Sequence, residues 1–302
     1  MNHLLSIQEL NADQITGLVQ LAAELKANRG KPDQPKPLLD QVWGIMFSKS
    51  STRTRVSFEV GLRELGAAAM FLSSNQIQLG RGEPIKDTAR VMGRMAHGAI
   101  IRNDSQADIE EFAKFSGIPT INALTEEEHP CQILADLLTI QEKLGSWEGK
   151  TVSFIGDGDC NVARSWMWAA ARLGFRLIVA APGQFQPPAA YRERLDSPNI
   201  TFTEDVQAAA AESHVLYTDV WVSMGREEEA AERLEILAPY QVNKALVDRA
   251  QEDAIVLHCL PAYREKEITE EVLELHADTI FQEAENRLHA QKAVLVELAK
   301  SR

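Results

Sequence analysis

The feature that most restricts how this chain can fold is an alternation. Short apolar runs, each the length of one strand, recur between stretches of helical or turn-rich pattern. The first series lies at 42 to 47, 68 to 72, 98 to 101 and 118 to 122. The second begins at Thr151-Val152-Ser153-Phe154-Ile155-Gly156 and continues at 176 to 181, 199 to 203, 214 to 218 and 254 to 259. When a helix separates successive strands, the chain crosses back over the sheet, so the strands run parallel with helices on both faces. Two series predict an α/β protein of two domains, each a parallel β-sheet flanked by helices. Gly145 to Gly149 supplies a turn after a predicted helix at 130 to 144, which sets the expected domains at 1–144 and 145–285. A first helix is predicted near Ala12 to Asn28, followed by a Pro-rich loop from Lys31 to Pro37. The tail 286–302 carries a last helix, Asn286 to Leu298, that either domain, the first included, can receive. At 302 residues each half is large enough to bury its own core.

Composition narrows the partners. A formal net charge of -13 argues against a general nucleic-acid binder, because a phosphate backbone needs a basic surface, yet it leaves room for a local basic pocket. No apolar stretch reaches the length of a membrane span, and Met1-Asn2-His3-Leu4 runs straight into a capped helical pattern rather than a signal sequence. The expectation is a cytoplasmic protein with no membrane contact. Cys131, Cys160 and Cys259 are odd in number, far apart and without metal-ligand spacing, so reduced thiols are expected rather than disulfides or a metal centre.

Ser50-Ser51-Thr52-Arg53-Thr54-Arg55 crowds hydroxyls and guanidinium groups between an apolar strand and a segment whose Phe58, Leu62 and Leu65 fall at helical spacing. The run therefore sits at a helix N-terminus. There, unpaired backbone N–H groups and the positive end of the helix dipole favour an anion, and Ser, Thr and Arg add donors suited to a phosphate. The plain alternative is a helix cap with solvated arginines.

Further polar clusters stand at strand ends, where open α/β sheets bind ligands. They are Ile100-Ile101-Arg102, His129-Pro130-Cys131-Gln132, His258-Cys259-Leu260-Pro261 and Asp219-Val220-Trp221-Val222-Ser223-Met224-Gly225. Each has an ordinary explanation: Arg102 as a surface cation, His129 as a capping group, Cys131 and Cys259 as small buried hydrophobes, Asp219 as a helix cap and Trp221 as packing. The Leu260-Pro261 bond is a candidate for the cis form. Gln76 to Pro84, with two glycines, reads as an exposed loop, and the acidic runs Glu126 to Glu128 and Glu227 to Glu229 read as solvated faces. Gly156-Asp157-Gly158 after a strand invites a dinucleotide reading, but Ala163 and Arg164 lie where its third glycine should fall.

Taken together and in order, Ser51 to Arg55, Gln78 within its Leu-Gly-Arg-Gly-Glu loop, Arg102, the His129 to Gln132 cluster, Asp219 to Gly225, His258 to Pro261 and Glu285-Asn286-Arg287 resemble the aspartate/ornithine carbamoyltransferases, the ornithine-acting members in particular. The resemblance spans nearly the whole chain. It implies an active site in a cleft between the two domains, with no metal or organic cofactor, and transfer of a carbamoyl group from carbamoyl phosphate to the δ-amine of L-ornithine, giving L-citrulline and phosphate. It also implies that Ser51, Thr52, Arg53, Thr54 and Arg102 bind the phosphate, that His129, Gln132 and Arg287 address the carbamoyl group, and that Gln78 reaches a neighbouring subunit of a homotrimer. Asn161, Asp219, Ser223 and Met224 match ornithine-binding positions. Cys259 and Leu260 match positions that meet both substrates. Arg53, Arg102, His129, Asp219 and Cys259 are the implied catalytic groups.

Two departures from the family pattern stand out: the Gly156 to Val162 stretch is one residue longer than the usual Gly-Asp-Gly-Asn-Asn-Val, and Tyr263 replaces a common His. The open alternatives are carbamoyltransferases acting on aspartate, putrescine or an N-acylated ornithine, a non-catalytic relative, and a nicotinamide-dependent enzyme.

Overall fold

The computed structural model describes residues 1–73, 82–222 and 229–300. Residue contacts divide the chain into two compact units, Met1–Leu138 with Glu285–Arg302, and Thr139–Ala284. The division falls inside the helix predicted at 130 to 144.

In the first unit, strands β1 (Val42–Phe47), β2 (Ala68–Ser73), β3 (Gly98–Arg102) and β4 (Thr120–Leu124) form a parallel sheet in the order β2-β1-β3-β4. Helices α1 (Ala12–Ala27), α2 (Thr52–Glu64), α3 (Ile85–Met95) and α4 (Gln106–Ser116) accompany them. The caps are locally encoded: Asn11 accepts from Gln14 N–H in a capping box at the start of α1, and Gly117 takes the left-handed conformation after α4. Helix α5 (Pro130–Leu144) leads out of this unit.

The second unit carries β5 (Thr151–Ile155), β6 (Arg176–Ala180), β7 (Ile200–Thr203), β8 (Val215–Thr218) and β9 (Ile255–His258), all parallel in the order β7-β6-β5-β8-β9. β5, β8 and β9 are buried along their whole length, as near-continuous apolar runs require. Its helices are α6 (Asn161–Leu173), α7 (Ala189–Leu195), α8 (Val206–Ala211), α9 (Ala230–Leu237), α10 (Lys244–Val247) and α11 (Glu270–Leu275). The last helix, α12 (Ala277–Ala299), begins before the expected residue 286 and contributes its later residues to the first unit.

Each sheet has one point where the strand order reverses. In the first it lies between β1 and β3, in the second between β5 and β8. Chains leaving neighbouring strands there diverge to opposite faces and open a crevice at the carboxyl ends, the ordinary ligand position of such sheets. The loop Ser48 to Ser51 leaves β1 beside Arg102 at the end of β3. In the second unit, Gly156 to Cys160 leaves β5 beside Asp219, which follows β8.

Candidate active site

In the first unit, Ser51 is the residue before α2, but its side chain makes no capping bond, so the plain reading of this run as a helix cap does not hold for Ser51. Thr52 and Arg53 are exposed in the first turn, while Thr54 is buried. Arg55 is committed elsewhere: it pairs with Glu59 at 2.7 Å and lies over the Phe71 ring at 3.8 Å. Ser48 ties the end of β1 to β3, its N–H donating to the Arg102 carbonyl at 2.9 Å. That bond sets the phosphate-type loop next to the Arg102 backbone.

His129 immediately precedes α5 and is buried. A tight turn presents it. Thr125 N–H donates to the Glu128 carbonyl at 3.0 Å, and Thr125 Oγ1 accepts from Glu128 N–H at 3.1 Å. Glu128 is itself buried, and its Oε2 accepts from Ile7 N–H at 2.7 Å. The expectation that this acidic run is merely a solvated face is therefore corrected for Glu128, which anchors the N-terminal segment. Burial, and then the nearby Arg287 and Arg102 cations, hold the His129 imidazole well below its usual value, so it is neutral at pH 7.

Arg287 of α12 is buried and gives its hydrogen bonds to two neutral groups, Gln132 Oε1 at 2.5 Å and Thr54 Oγ1 at 3.4 Å. Its Nε has no hydrogen-bond partner among the described residues. A buried cation supported, among the described residues, only by neutral acceptors is an invitation to an anion. Gln132 in turn donates through Nε2 to Asp136 Oδ1 at 2.7 Å. Asp136, fully buried, is a residue that motifs do not single out; only its i+4 spacing from Gln132 hints at it.

In the second unit, Gly156 has φ +124°, and Gly158 has no room for a side chain, since an added Cβ would sit 2.7 Å from Val179 and 3.1 Å from the Phe185 carbonyl. These glycines serve close packing of the β5–α6 turn, which accounts for them without a dinucleotide. Asn161 opens α6, preceded by Cys160, whose sulfur accepts from Ala163 N–H. Burial, with Asp219 and Asp157 nearby, pushes the Cys160 thiol well up, so it stays protonated.

Because Thr218 pairs with His258 across β8 and β9, the next residues along, Asp219 and Cys259, emerge side by side. The Cys259 thiol donates to Asp219 Oδ1 at 2.9 Å, and the same oxygen accepts from Val220 N–H at 2.7 Å. Burial raises the Asp219 carboxyl, partly offset by His258, the Cys259 thiol and the Val220 N–H. A carboxylate short of solvation gains more from an ammonium partner than an exposed one does. Among the described residues, Asp219 caps no helix.

His258 orders the turn after β9. Its Nδ1 accepts from Leu260 N–H at 2.9 Å, which leaves the proton on Nε2, facing Glu267 Oε1 at 3.2 Å, while its backbone N–H donates to Glu283 Oε2 at 2.8 Å. Leu260 has φ +54°, and the Leu260-Pro261 bond is cis. Asp219, His258 and Cys259 place oxygen, nitrogen and sulfur atoms within 4.8 Å of one another. Both ring nitrogens of His258 are already engaged, with Leu260 N–H and Glu267, which argues against a metal centre at this trio. Tyr263, the departure from the family pattern, lines a cavity of about 230 Å³ with Trp221, Leu234 and Glu267.

Arg233 carries no sequence signal either. This buried residue of α9 bonds the Trp221 carbonyl at 2.6 Å, pairs with Asp157 and stands 4.6 Å from the Phe185 ring, tying the chain after Asp219 to the β5–α6 turn. Gln78, Ser223 and Met224 lie outside the described residues.

Residues 2–142 match the family model for the carbamoyl-P binding domain of aspartate/ornithine carbamoyltransferases, and residues 148–298 match that for the Asp/Orn binding domain. An ornithine carbamoyltransferase of Akkermansia muciniphila is 59% identical over 304 residues, spanning 100% of this chain and 99% of that protein. The anabolic ornithine carbamoyltransferase of Pseudomonas aeruginosa is 46% identical over 98% of this chain and 96% of its own length. Among solved structures, the anabolic ornithine carbamoyltransferase of Campylobacter jejuni has a TM-score of 0.93 at 41% identity, covering 100% of both chains. The ornithine carbamoyltransferase of Pyrococcus furiosus has a TM-score of 0.93 at 39% identity, covering 100% of this chain and 98% of its own. With two parallel sheets, ligand-type loops at both reversal points and matches over both halves, the chain belongs to the aspartate/ornithine carbamoyltransferase family.

Proposed function

We infer that this chain is an ornithine carbamoyltransferase, moving the carbamoyl group of carbamoyl phosphate to the δ-amine of L-ornithine to give L-citrulline and phosphate. The observation that carries the choice of acceptor is the Asp219 carboxylate with the Cys259 thiol against it. An aspartate-acting enzyme needs basic groups there for a second carboxylate, and an acylated ornithine lacks the free amine that Asp219 would hold.

Free alkylamines have a pKa of about 10.4, so at neutral pH nearly all of the substrate is protonated and non-nucleophilic. The site must favour the neutral δ-amine. In this reading Asp219 anchors the α-ammonium, Asn161 and the Ser223-Met224 segment hold the α-carboxylate, and Cys259 lies beside the δ-nitrogen and orients it. The thiol forms no covalent intermediate.

As the amine attacks the carbonyl carbon, negative charge grows on the carbonyl oxygen and then on the departing phosphate. Arg53, Thr54 and Arg102, with the N–H groups at the start of α2, receive the phosphate; neutral His129 and Arg287 receive the oxygen. Preorganised donors of this kind are worth about 3 kcal/mol each in barrier lowering. Ser51 and Thr52 add hydroxyls, Gln132 orients the carbamoyl amide, and Leu260 lies against the transferring group. No metal enters these steps. The anabolic relatives support a role in arginine biosynthesis, and three free cysteines with no described helix able to span a membrane accord with a cytoplasmic setting.

A homotrimer completes the reading, with Gln78 entering a neighbour's site. It is supported by apolar side chains left on the outside of the first unit: Met70 on the edge strand β2, Val56 on α2, and Val91 and Met95 on α3, the last 74% exposed.

The direct test is a colorimetric citrulline assay with carbamoyl phosphate and ornithine, run beside aspartate, putrescine and N-acetylornithine. Turnover should be confined to ornithine. Carbamoylation of aspartate or the acylated substrate at a comparable rate would overturn the assignment of Asp219.

A further inference from the structure

We propose that Asp136 is a positioning residue for the carbamoyl phosphate half of the site, selecting which end of the Gln132 amide faces Arg287; the proposal rests on the carbamoyltransferase reading above. Gln132 and Asp136 are one turn apart on α5, and both are buried. Gln132 Nε2 donates to Asp136 Oδ1 at 2.7 Å, and Gln132 Oε1 accepts from Arg287 Nη1 at 2.5 Å. Arg287 then reaches Thr54 Oγ1 at 3.4 Å, in the first turn of α2. Four side chains from three helices are thus linked end to end.

The two ends of a glutamine amide have nearly the same shape and differ only in hydrogen-bonding sense. A guanidinium only donates, and Asp136 Oδ1 is here the acceptor of the Gln132 amide N–H. Between Arg287 and Asp136, therefore, one orientation satisfies both contacts, and the reversed one sets NH₂ against guanidinium and carbonyl against carboxylate. Removing the Asp136 oxygen leaves the reversed amide opposed on one side only. Gln132 is then held from the Arg287 side alone, so its amide is less firmly fixed and Arg287 has a looser acceptor beneath the groups that meet the transferring carbamoyl. Asp136 touches neither substrate in this scheme; it acts through Gln132, as supporting groups do around a preorganised site.

Steady-state kinetics, thermal melts and calorimetric titration with carbamoyl phosphate and with ornithine test this on the full chain. Asp136→Leu removes the acceptor and should lower kcat/KM for carbamoyl phosphate about 30-fold or more, with KM for ornithine changing less than about threefold. Asp136→Asn keeps an acceptor oxygen and should recover most of that loss. Gln132→Glu sets carboxylate against carboxylate and should be severely impaired. The double change Gln132→Glu with Asp136→Asn restores a donor facing an acceptor and should regain about fivefold or more over Gln132→Glu alone. Wild-type kcat/KM in Asp136→Leu, equal damage in Asp136→Asn, or no gain in the double variant would each overturn the proposal. If Asp136→Leu does not fold, the Gln132 pair decides alone. A wild-type protein that binds carbamoyl phosphate without carbamoylating ornithine would sink the functional reading, while the calorimetric comparison still judges Asp136. Failure of the wild type to bind carbamoyl phosphate would end both.

Discussion

Asp219 shows how one side chain sets function against stability. Burial raises its carboxyl above the ordinary 3.8, so the folded state holds its proton more tightly than the unfolded chain does. The contribution to stability is therefore full below pH 3.8 and is lost as pH rises through the folded value. Above that folded value the ionised carboxylate is a cost. Asp219→Asn should raise the melting temperature at pH 7 by roughly 2 °C or more, an advantage that fades as the solution is acidified, while turnover with ornithine falls about 100-fold or more. Melts at several pH values beside the citrulline assay check both halves, and a lower melting temperature at pH 7 would contradict this assignment. His129 works in the opposite sense. Its pKa is depressed below 6.5, so the unfolded chain binds the proton more tightly, and the stability owed to the neutral ring is present above pH 6.5 and lost as pH falls below it. His129→Asn should flatten the fall in melting temperature between about pH 7 and 5. An unchanged acid limb would show that other groups dominate it.

At the scale of elements, α3 and α4 depend on a single missing side chain. A Cβ at Gly93 would lie 1.8 Å from the Ser116 carbonyl oxygen, which is backbone and cannot swing aside. Gly93→Ala must push the helices apart and should destabilise the chain by about 3 kcal/mol, read as a shifted denaturation midpoint at unchanged m-value. Retention of the wild-type midpoint would mean that α3 and α4 separate at little cost. Fully buried Lys292 of α12 meets Glu64 of α2 at 2.7 Å, with Arg29 on the same carboxylate at 2.9 Å. Burial alone would raise the Glu64 carboxyl, yet the two cations hold it below its ordinary value. The same helix that supplies Lys292 carries Arg287, so a structural ion pair and a candidate substrate contact share one rigid support.

For the whole molecule, the exposed apolar side chains of the first unit are the feature that a lone chain does not explain. If they meet neighbouring copies, Met95→Glu should weaken assembly, lowering the mass seen by sedimentation toward that of one chain and reducing citrulline formation with it. A wild type that sediments as a single chain yet is fully active would remove the trimer from the reading. The strand and helix alternation, the N-terminal position of Ser51 to Thr54 on α2 and the strand-end positions of Arg102, Asp219 and Cys259 were all legible in the residues. Periodicity and turn chemistry are local, and a parallel sheet converts a strand end into a place near other strand ends. Several things were not legible: the burial of Glu128 against Ile7, the anchoring by Arg233, and the selection of the Gln132 amide by Asp136. Each depends on which side chains meet across the fold rather than along the chain. Charge and polarity mark such residues for the surface until packing brings them a partner. The sequence by itself determined the architecture and the chemistry available at each strand end. Only the tertiary structure decided which of those groups are desolvated and what each one faces, because the free energy of a buried charge depends on its neighbours.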